Sequence, residues 1–383
     1  MTRSNKYILG FTAFFSIIYI LRVGLVYSYP NDQIWTHYIL WLKDLNLEED
    51  LFYYSESWKK SLWYLILFEI RDLTKLDPLI FYYLFQLSNI FLFFYILFKI
   101  FNHFNATINV EKYLYFGLLI SCTNFWISGS LANFHEIGFN YRSSPFILGL
   151  FSFYLFLKNR INSSLILLTI GSLMHLPVMV PFYLISILYL KKFNKINLFL
   201  LFISSIITIS FILGNIELNN STYSSDLSQA LIKLRINYIF IENWSFDSTI
   251  RYFSPYFFLL SMYFYSKNIE IKKFIILLIS IHLFYMITVL ITNDLPTFSV
   301  FRFGRELFII VFFIFIIFLN LTLTNLVLNF AFFIAIFSQF IFGSFSIFMI
   351  LSILIYFSQS QTEKERIAMN IYKSMYKNYF KSL

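Results

Sequence analysis

The sequence is poor in charge. Of its 383 residues, 13% are Asp, Glu, Lys or Arg, about half the share found in an ordinary water-soluble domain. That shortage excludes a solvated globular surface of the usual kind. It comes with an excess of bulky apolar side chains, including 52 Phe and 28 Tyr. So many rings cannot be hidden in one water-soluble core of this size, and they require lipid as a solvent. Cysteine is scarcer still. Cys122 is the only one, which excludes an internal disulfide and any cysteine-based metal site. There is no Walker A loop, no GxGxxG turn and no convincing internal repeat. No cofactor is therefore expected, and nothing in the residues supports a metal site. A chain of this length accommodates two or three soluble domains, but almost every long stretch here is apolar.

What the sequence does have is a succession of apolar segments. A membrane-spanning helix needs about 20 apolar residues, somewhat fewer where the bilayer thins. Candidates are 7–27, 79–101, 113–129, 144–157, 164–177, 178–190, 196–215, 249–266, 273–292, 306–322, 325–341 and 342–358. They predict an all-α fold, a polytopic transmembrane bundle of about 10–12 membrane helices. The pair 164–177 and 178–190, divided by Pro177, reads either as two crossings or as a re-entrant hairpin. Ser61–Leu73 ends in Glu69, Arg71 and Asp72, which suggests a helix lying at the interface. The first segment follows Arg3 and Lys6 and lacks a small-residue cleavage site. It is expected to be a retained helix and not a removed signal peptide.

Basic residues set the orientation. With the N-terminus in the cytoplasm and twelve crossings, 17 of the 29 Lys and Arg fall inside, while 16 of the 20 acids fall outside. Every cytoplasmic connection then obeys the positive-inside rule, and both termini are cytoplasmic. The basic residues stand in twos and threes between apolar runs, a pattern that sets topology and does not form a nucleic-acid-binding face. One membrane domain, 1–358, is expected, with outer loops at 28–60 and 216–248. A basic amphipathic tail, 359–383, would rest on the anionic inner leaflet. Trp35, Trp41 and Trp58 with Tyr38, Tyr53 and Tyr54 give the first loop a headgroup-level aromatic belt.

Several ionisable residues stand at the outer ends of their segments. Asp32 follows the first helix, with His37 five residues on. A helical loop would bring the two to one face, and the plainer reading of Asp32 is a helix cap. His135 and Glu136 lie in NFHEIGFNYR close to Arg142. They could bind an anion or shuttle a proton, or form an exposed ion pair of little energetic value. His175 lies in GSLMHLPVMVP, within an apolar stretch. There it is either a hydrogen-bonded structural residue or, because histidine at membrane depth is costly, a functional one. Arg302 and Arg305 in FSVFRFGRELF are one helical turn apart. Two guanidinium forks at that spacing can hold both phosphates of a pyrophosphate, or they can stop a helix at the interface.

This pattern resembles the integral-membrane glycosyltransferases of the GT-C type, including the EpsG/Wzy-like exopolysaccharide and O-antigen polymerases. The resemblance is carried by Asp32 after the first helix and by Arg142 at the start of a helix that ends at Lys158 and Arg160. It continues in the H-x-P of His175 and Pro177 and in the R-F-x-R of Arg302, Phe303 and Arg305. It spans most of residues 7–320 with few fixed positions. In the EpsG branch an Asp-Tyr and an Arg followed by Ala at the fourth position are frequent. Here Asp32 precedes Gln33, and the residue three after Arg142 is Pro145, so polymerase and single-sugar transferase both remain open.

The resemblance implies a bacterial plasma-membrane enzyme whose partners are a polyprenyl-phosphate-linked glycan donor and a glycan acceptor. Transfer would occur on the outer face, with Asp32 and His175 catalytic. Arg142, Arg302, Arg305, His135, Glu136 and His37 would bind substrate in one outward cavity. The competing reading is a transporter or flippase of lipid-linked sugars, which should show midplane charges and internal repeats.

Overall fold

The structure, a computed structural model, describes residues 3–23, 62–104, 143–186 and 192–219, with scattered positions between 110 and 283. Six helices are described: α1 Arg3–Val23, α2 Leu62–Thr74, α3 Pro78–Phe104, α4 Ser143–Leu157, α5 Ile161–Ser186 and α6 Lys195–Asn219. No strand occurs among the described residues. The chain divides into two compact units, and all six helices belong to the first, Met1–Ile108 with Phe134–Asn237 and Pro296–Phe298. The second is Asn109–Asn133, Tyr238–Leu295 and Ser299–Leu383. Its described residues include buried Tyr113, Leu259 and Ile275, and Lys272 Nζ stands 5.2 Å from the Tyr263 ring centre.

Local chemistry fixes where these helices begin and end. Asp77 caps α3: its Oδ1 accepts from Ile80 N at 3.4 Å, and Pro78 occupies the first helical position, where its missing N–H costs nothing. Lys75, at φ 50°, turns the chain out of α2 while its N–H donates to Arg71 O at 2.8 Å. α4 ends in a Schellman motif. Asn159 takes the left-handed conformation at φ 57°, Arg160 N reaches back to Leu155 O and Asn159 N to Phe156 O, both at 2.9 Å. Asparagine is the residue after glycine best suited to that position. α6 opens with a reciprocal box: Asn197 N donates to Asn194 Oδ1 at 2.8 Å, and Asn194 N to Asn197 Oδ1 at 2.9 Å. Two otherwise orphaned donors are satisfied there.

A chain of rings forms the core. Phe11 and Phe15 of α1 lie 6.0 and 5.9 Å from Phe98 of α3, and Tyr19 lies 6.0 Å from Phe94. Phe93 then meets Phe146 of α4 at 6.3 Å, and Phe146 meets Phe182 of α5 at 5.9 Å. These contacts set directions. Residues 11 to 19 run against 98 to 94, so α1 is antiparallel to α3. Residues 89 to 93 run with 143 to 146, so α4 is parallel to α3. Several helical hydroxyls bond back to the carbonyl one turn earlier, as Thr12 does to Ile8 O at 2.7 Å and Ser172 to Leu168 O at 2.7 Å. Apolar helices hide polar side chains in this way.

α5 is a hairpin. Its backbone leaves the helical region at His175, with φ −159° and ψ 91°, and the contacts on either side require a reversal. Thr169 and Tyr183 both hydrogen-bond the hydroxyl of Ser204 in α6, although in a straight helix they would stand about 21 Å apart. Met179 packs against Gly171, its Cε 2.6 Å from where a Cβ would stand. Phe182 packs against Gly149, while Ser164, 18 residues earlier, bonds Ser152. Residues 161–174 and 176–186 therefore run antiparallel. The segments flanking Pro177 form an antiparallel pair, a geometry shared by two crossings and by a re-entrant hairpin, and the break falls at His175, two residues before the proline. The reason is local: a proline inside a helix loses an i→i−4 bond and clashes with the preceding turn, and placing it in the first turn of a new helix removes both problems.

Basic residues collect at one end of this unit. The α4–α5 turn carries Lys158 and Arg160, and the start of α6 carries Lys192 and Lys195. Lys192 Nζ donates to Asn159 Oδ1 at 3.1 Å, and Asn197 Nδ2 bonds Asn162, which ties the two turns together. Lys99 in the last two turns of α3 reaches Asn5 of α1 at 2.7 Å. The acids Glu69, Asp72 and Asp77 lie on α2 and the start of α3, toward the other end, with Arg71 and Lys75 among them. Arg71 is 8% exposed, so α2 hides the arginine that the sequence places at an interface. Among the described residues, Tyr83–His103 is the segment long and apolar enough to cross a membrane.

Candidate functional site

His175 is the sequence-predicted site residue that falls among the described positions. Asp32, His37, His135, Glu136, Arg142, Arg302 and Arg305 lie outside them. His175 acts as the cap of the second arm of α5. Its extended backbone ends the first arm, and its Nδ1 accepts from Val178 N at 3.4 Å. Val178 is the third residue of the new helix, the position whose N–H a cap side chain normally satisfies. Pro177 beside it has no N–H to satisfy. A neutral imidazole that accepts at Nδ1 carries its proton on Nε2. The ring can then offer a donor but no second acceptor.

Two measurements place the height of this turn. Ser164 lies opposite Ser152, and ten further residues carry the first arm up about 15 Å. That reaches the level of Ser143. Phe182 lies against Gly149, and its arm rises about 9–10 Å back to the same level. The hairpin tip and the first turn of α4 are thus level with each other. Both stand about 22 Å from the basic turn at the far end of α4. Across α3 the same level is occupied by Asn89, whose Nδ2 donates to Ser143 Oγ at 3.5 Å and Ser144 Oγ at 3.4 Å.

This polar layer was not singled out by charge, because it has none. Gln86 stands one turn beyond Asn89 on the same face of α3. It is 3% exposed, and its Oε1 has no hydrogen-bond partner. A buried acceptor left in this state costs about 1–3 kcal/mol. Asn89 is 5% and Ser143 1% exposed. The signal was present in FQLSN, where two amides occupy positions i and i+3 of an otherwise apolar run. In a segment bounded by lipid, such amides mark an inward face. Amides and hydroxyls in this arrangement can hold a neutral polar group but cannot perform acid–base chemistry.

No family model, curated protein or solved structure matches the chain.

Proposed function

We propose that the chain is a multi-pass membrane glycosyltransferase. It would move a sugar or oligosaccharide from a polyprenyl-phosphate-linked donor to a glycan acceptor, on the membrane face opposite its termini. The observation that carries this reading is the hairpin of α5, which presents His175 at its tip, away from the basic turns. Membrane embedding draws support from the outward faces of the helices. Phe14 and Ile17 of α1, Leu84 and Leu92 of α3 and Phe199 and Phe202 of α6 are between 45% and 63% exposed, a surface unsuited to water. Collection of lysines at one end agrees with a cytoplasmic side there.

In the reaction the bond between the anomeric carbon and the donor phosphate breaks as the acceptor oxygen bonds that carbon. Asp32 takes the acceptor's hydroxyl proton. The electron pair leaves with the lipid phosphate, whose growing charge Arg142, Arg302 and Arg305 stabilise. With Nδ1 engaged at Val178, His175 contributes through Nε2–H as a hydrogen-bond donor to the departing oxygen, and not as a base. His37, His135 and Glu136 flank the substrate. The test is incorporation of labelled sugar into lipid-linked or polymeric glycan by membranes containing the protein, compared with membranes containing Asp32→Asn at equal abundance. Activity equal to the parent in Asp32→Asn would remove the catalytic carboxylate and with it this mechanism.

The broken helix favours one second reading, since discontinuous helices meeting within the membrane are a feature of transporters. A flippase would move labelled lipid-linked sugar across sealed vesicles without forming a new glycosidic bond, so product analysis separates the two.

A further inference from the structure

The lysines at the basic end continue into an apolar stripe. On α6, Lys195, Phe199, Phe202 and Ile206 follow at spacings of four, three and four residues and so share one face. Phe199 is 61%, Phe202 63% and Ile206 46% exposed, while Asn197 and Ser204 on the opposite face are 4% and 1% exposed. From Lys195 to Ile206 the helix rises about 16 Å, close to the depth of one leaflet of a hydrocarbon core of about 30 Å. Exposed Lys195 and Lys192, with exposed Arg160 and Lys158 on the neighbouring turn, stand at the top of this stripe. The Schellman motif of α4 and the Asn194–Asn197 box order the backbone of these turns, and the Lys192 side chain bonds Asn159 across them. No acidic residue lies among the described positions 143–210.

We propose that this end of α6 is a binding site for an anionic phospholipid. The lipid phosphate lies between Lys192 and Lys195, and an acyl chain runs along Phe199, Phe202 and Ile206. The shape decides the occupant. A free phosphate would use the cations and leave the stripe bare, and a zwitterionic lipid would use the stripe but bring a positive group against the lysines. An acidic protein surface would not extend one leaflet deep along a row of exposed rings. The turns that carry the cations are joined before the lipid arrives, through Lys192–Asn159 and Asn197–Asn162. Little loop ordering then opposes binding. The proposal rests on the membrane placement given above and is independent of glycosyl transfer.

The experiment uses the full chain, purified in a neutral detergent, and measures thermal unfolding while phosphatidylglycerol is titrated into the micelles. Parallel titrations use phosphatidylcholine and glycerol phosphate, the headgroup without chains. A saturable rise in midpoint with phosphatidylglycerol, absent with the other two, is the expected result. Basic residues near a lipid surface contribute such that removing two weakens apparent affinity about thirty-fold. Lys192→Gln with Lys195→Gln should show that loss, while Phe199→Ala with Phe202→Ala should abolish the preference for long-chain over dioctanoyl phosphatidylglycerol. Equal stabilisation by phosphatidylcholine, or an equal effect of glycerol phosphate, overturns the lipid site, and both are read on the unmodified protein even if a variant does not fold. Resistance of the protein to alkaline extraction from membranes separates failure of this site from failure of the membrane placement. A chain that stays in the membrane yet ignores phosphatidylglycerol refutes the site alone.

Discussion

Gly149→Ala tests the hairpin directly. Glycine inside a helix ordinarily costs about 1 kcal/mol relative to alanine, so at a neutral position this substitution would stabilise. At Gly149 the added Cβ would overlap three atoms of the Phe182 ring, the Cζ at 2.8 Å among them. The ring cannot step aside, because it is 1% exposed and Phe146 stands behind it at 5.9 Å. Overpacking of this kind costs about 1–3 kcal/mol. Set against the helix gain, the net loss is about 1 kcal/mol and at most about 2. Phe182→Ala alone should cost about 3–5 kcal/mol by leaving a cavity. In that background Gly149→Ala should become stabilising by about 1 kcal/mol, since the clash is gone and the methyl fills space. Reversible unfolding in mixed micelles, run as a double-mutant cycle, gives a coupling of about 2 kcal/mol on this reasoning. A stabilising Gly149→Ala in the parent, with no coupling to Phe182, would mean that the second arm of α5 does not fold back on α4.

His175→Asn and His175→Ala separate capping from chemistry. Asparagine caps a helix well, so it should hold stability within a few tenths of a kcal/mol while alanine loses about 1 kcal/mol. Glycan product should fall in both, and full product with Asn would reduce the imidazole to a cap. Arg302→Lys should harm product formation nearly as much as Arg302→Ala, by about 10²–10³ in rate, because a lysine cannot reproduce the bidentate fork. The same comparison applies at Arg305, and full activity in both lysine variants would leave only an interfacial anchor. A cysteine at position 225 should react with an impermeant thiol reagent added outside, and labelling from the cytoplasmic side alone would invert the topology.

The helices were legible where apolar run length decides them. The segments 79–101, 144–157 and 196–215 correspond to α3, α4 and α6, each starting one residue earlier, with Asp77–Pro78 setting the start of α3 and the Asn194–Asn197 box that of α6. Cap chemistry places those boundaries, and hydropathy does not report it. The division of 164–190 was legible only as to its existence. Pro177 announced a break, and the choice of His175 as the breaking residue depends on its ring reaching Val178 N–H, which no spacing displays. The layer of Gln86, Asn89, Ser143 and Ser144 was not legible, because uncharged polar residues are tolerated in apolar helices and carry no charge that marks a site. Arg302 and Arg305, the strongest site signal in the sequence, and Asp32 lie outside the described residues, so their reading still rests on residue type and spacing.

On the membrane placement proposed above, the paired serines of α4 and α5 bear on how this part of the chain would enter a bilayer. Ser164 Oγ donates to Ser152 O at 2.8 Å and Ser152 Oγ to Ser164 O at 3.1 Å, and both residues are completely enclosed. Each hydroxyl satisfies itself on the other strand of the hairpin, across a loop only 12 residues long. Such a short closure forms in well under a microsecond once both arms are helical, far faster than residues are added during synthesis. The two arms are therefore expected to leave the ribosome already joined, presenting lipid with a surface from which these hydroxyls have disappeared. Insertion would then proceed by pairs of helices and not by single ones. Replacing either serine with alanine should leave the yield of inserted protein near the parent's, because the other's hydroxyl keeps its bond to the main-chain carbonyl, and a marked loss in a single variant would contradict this pairing.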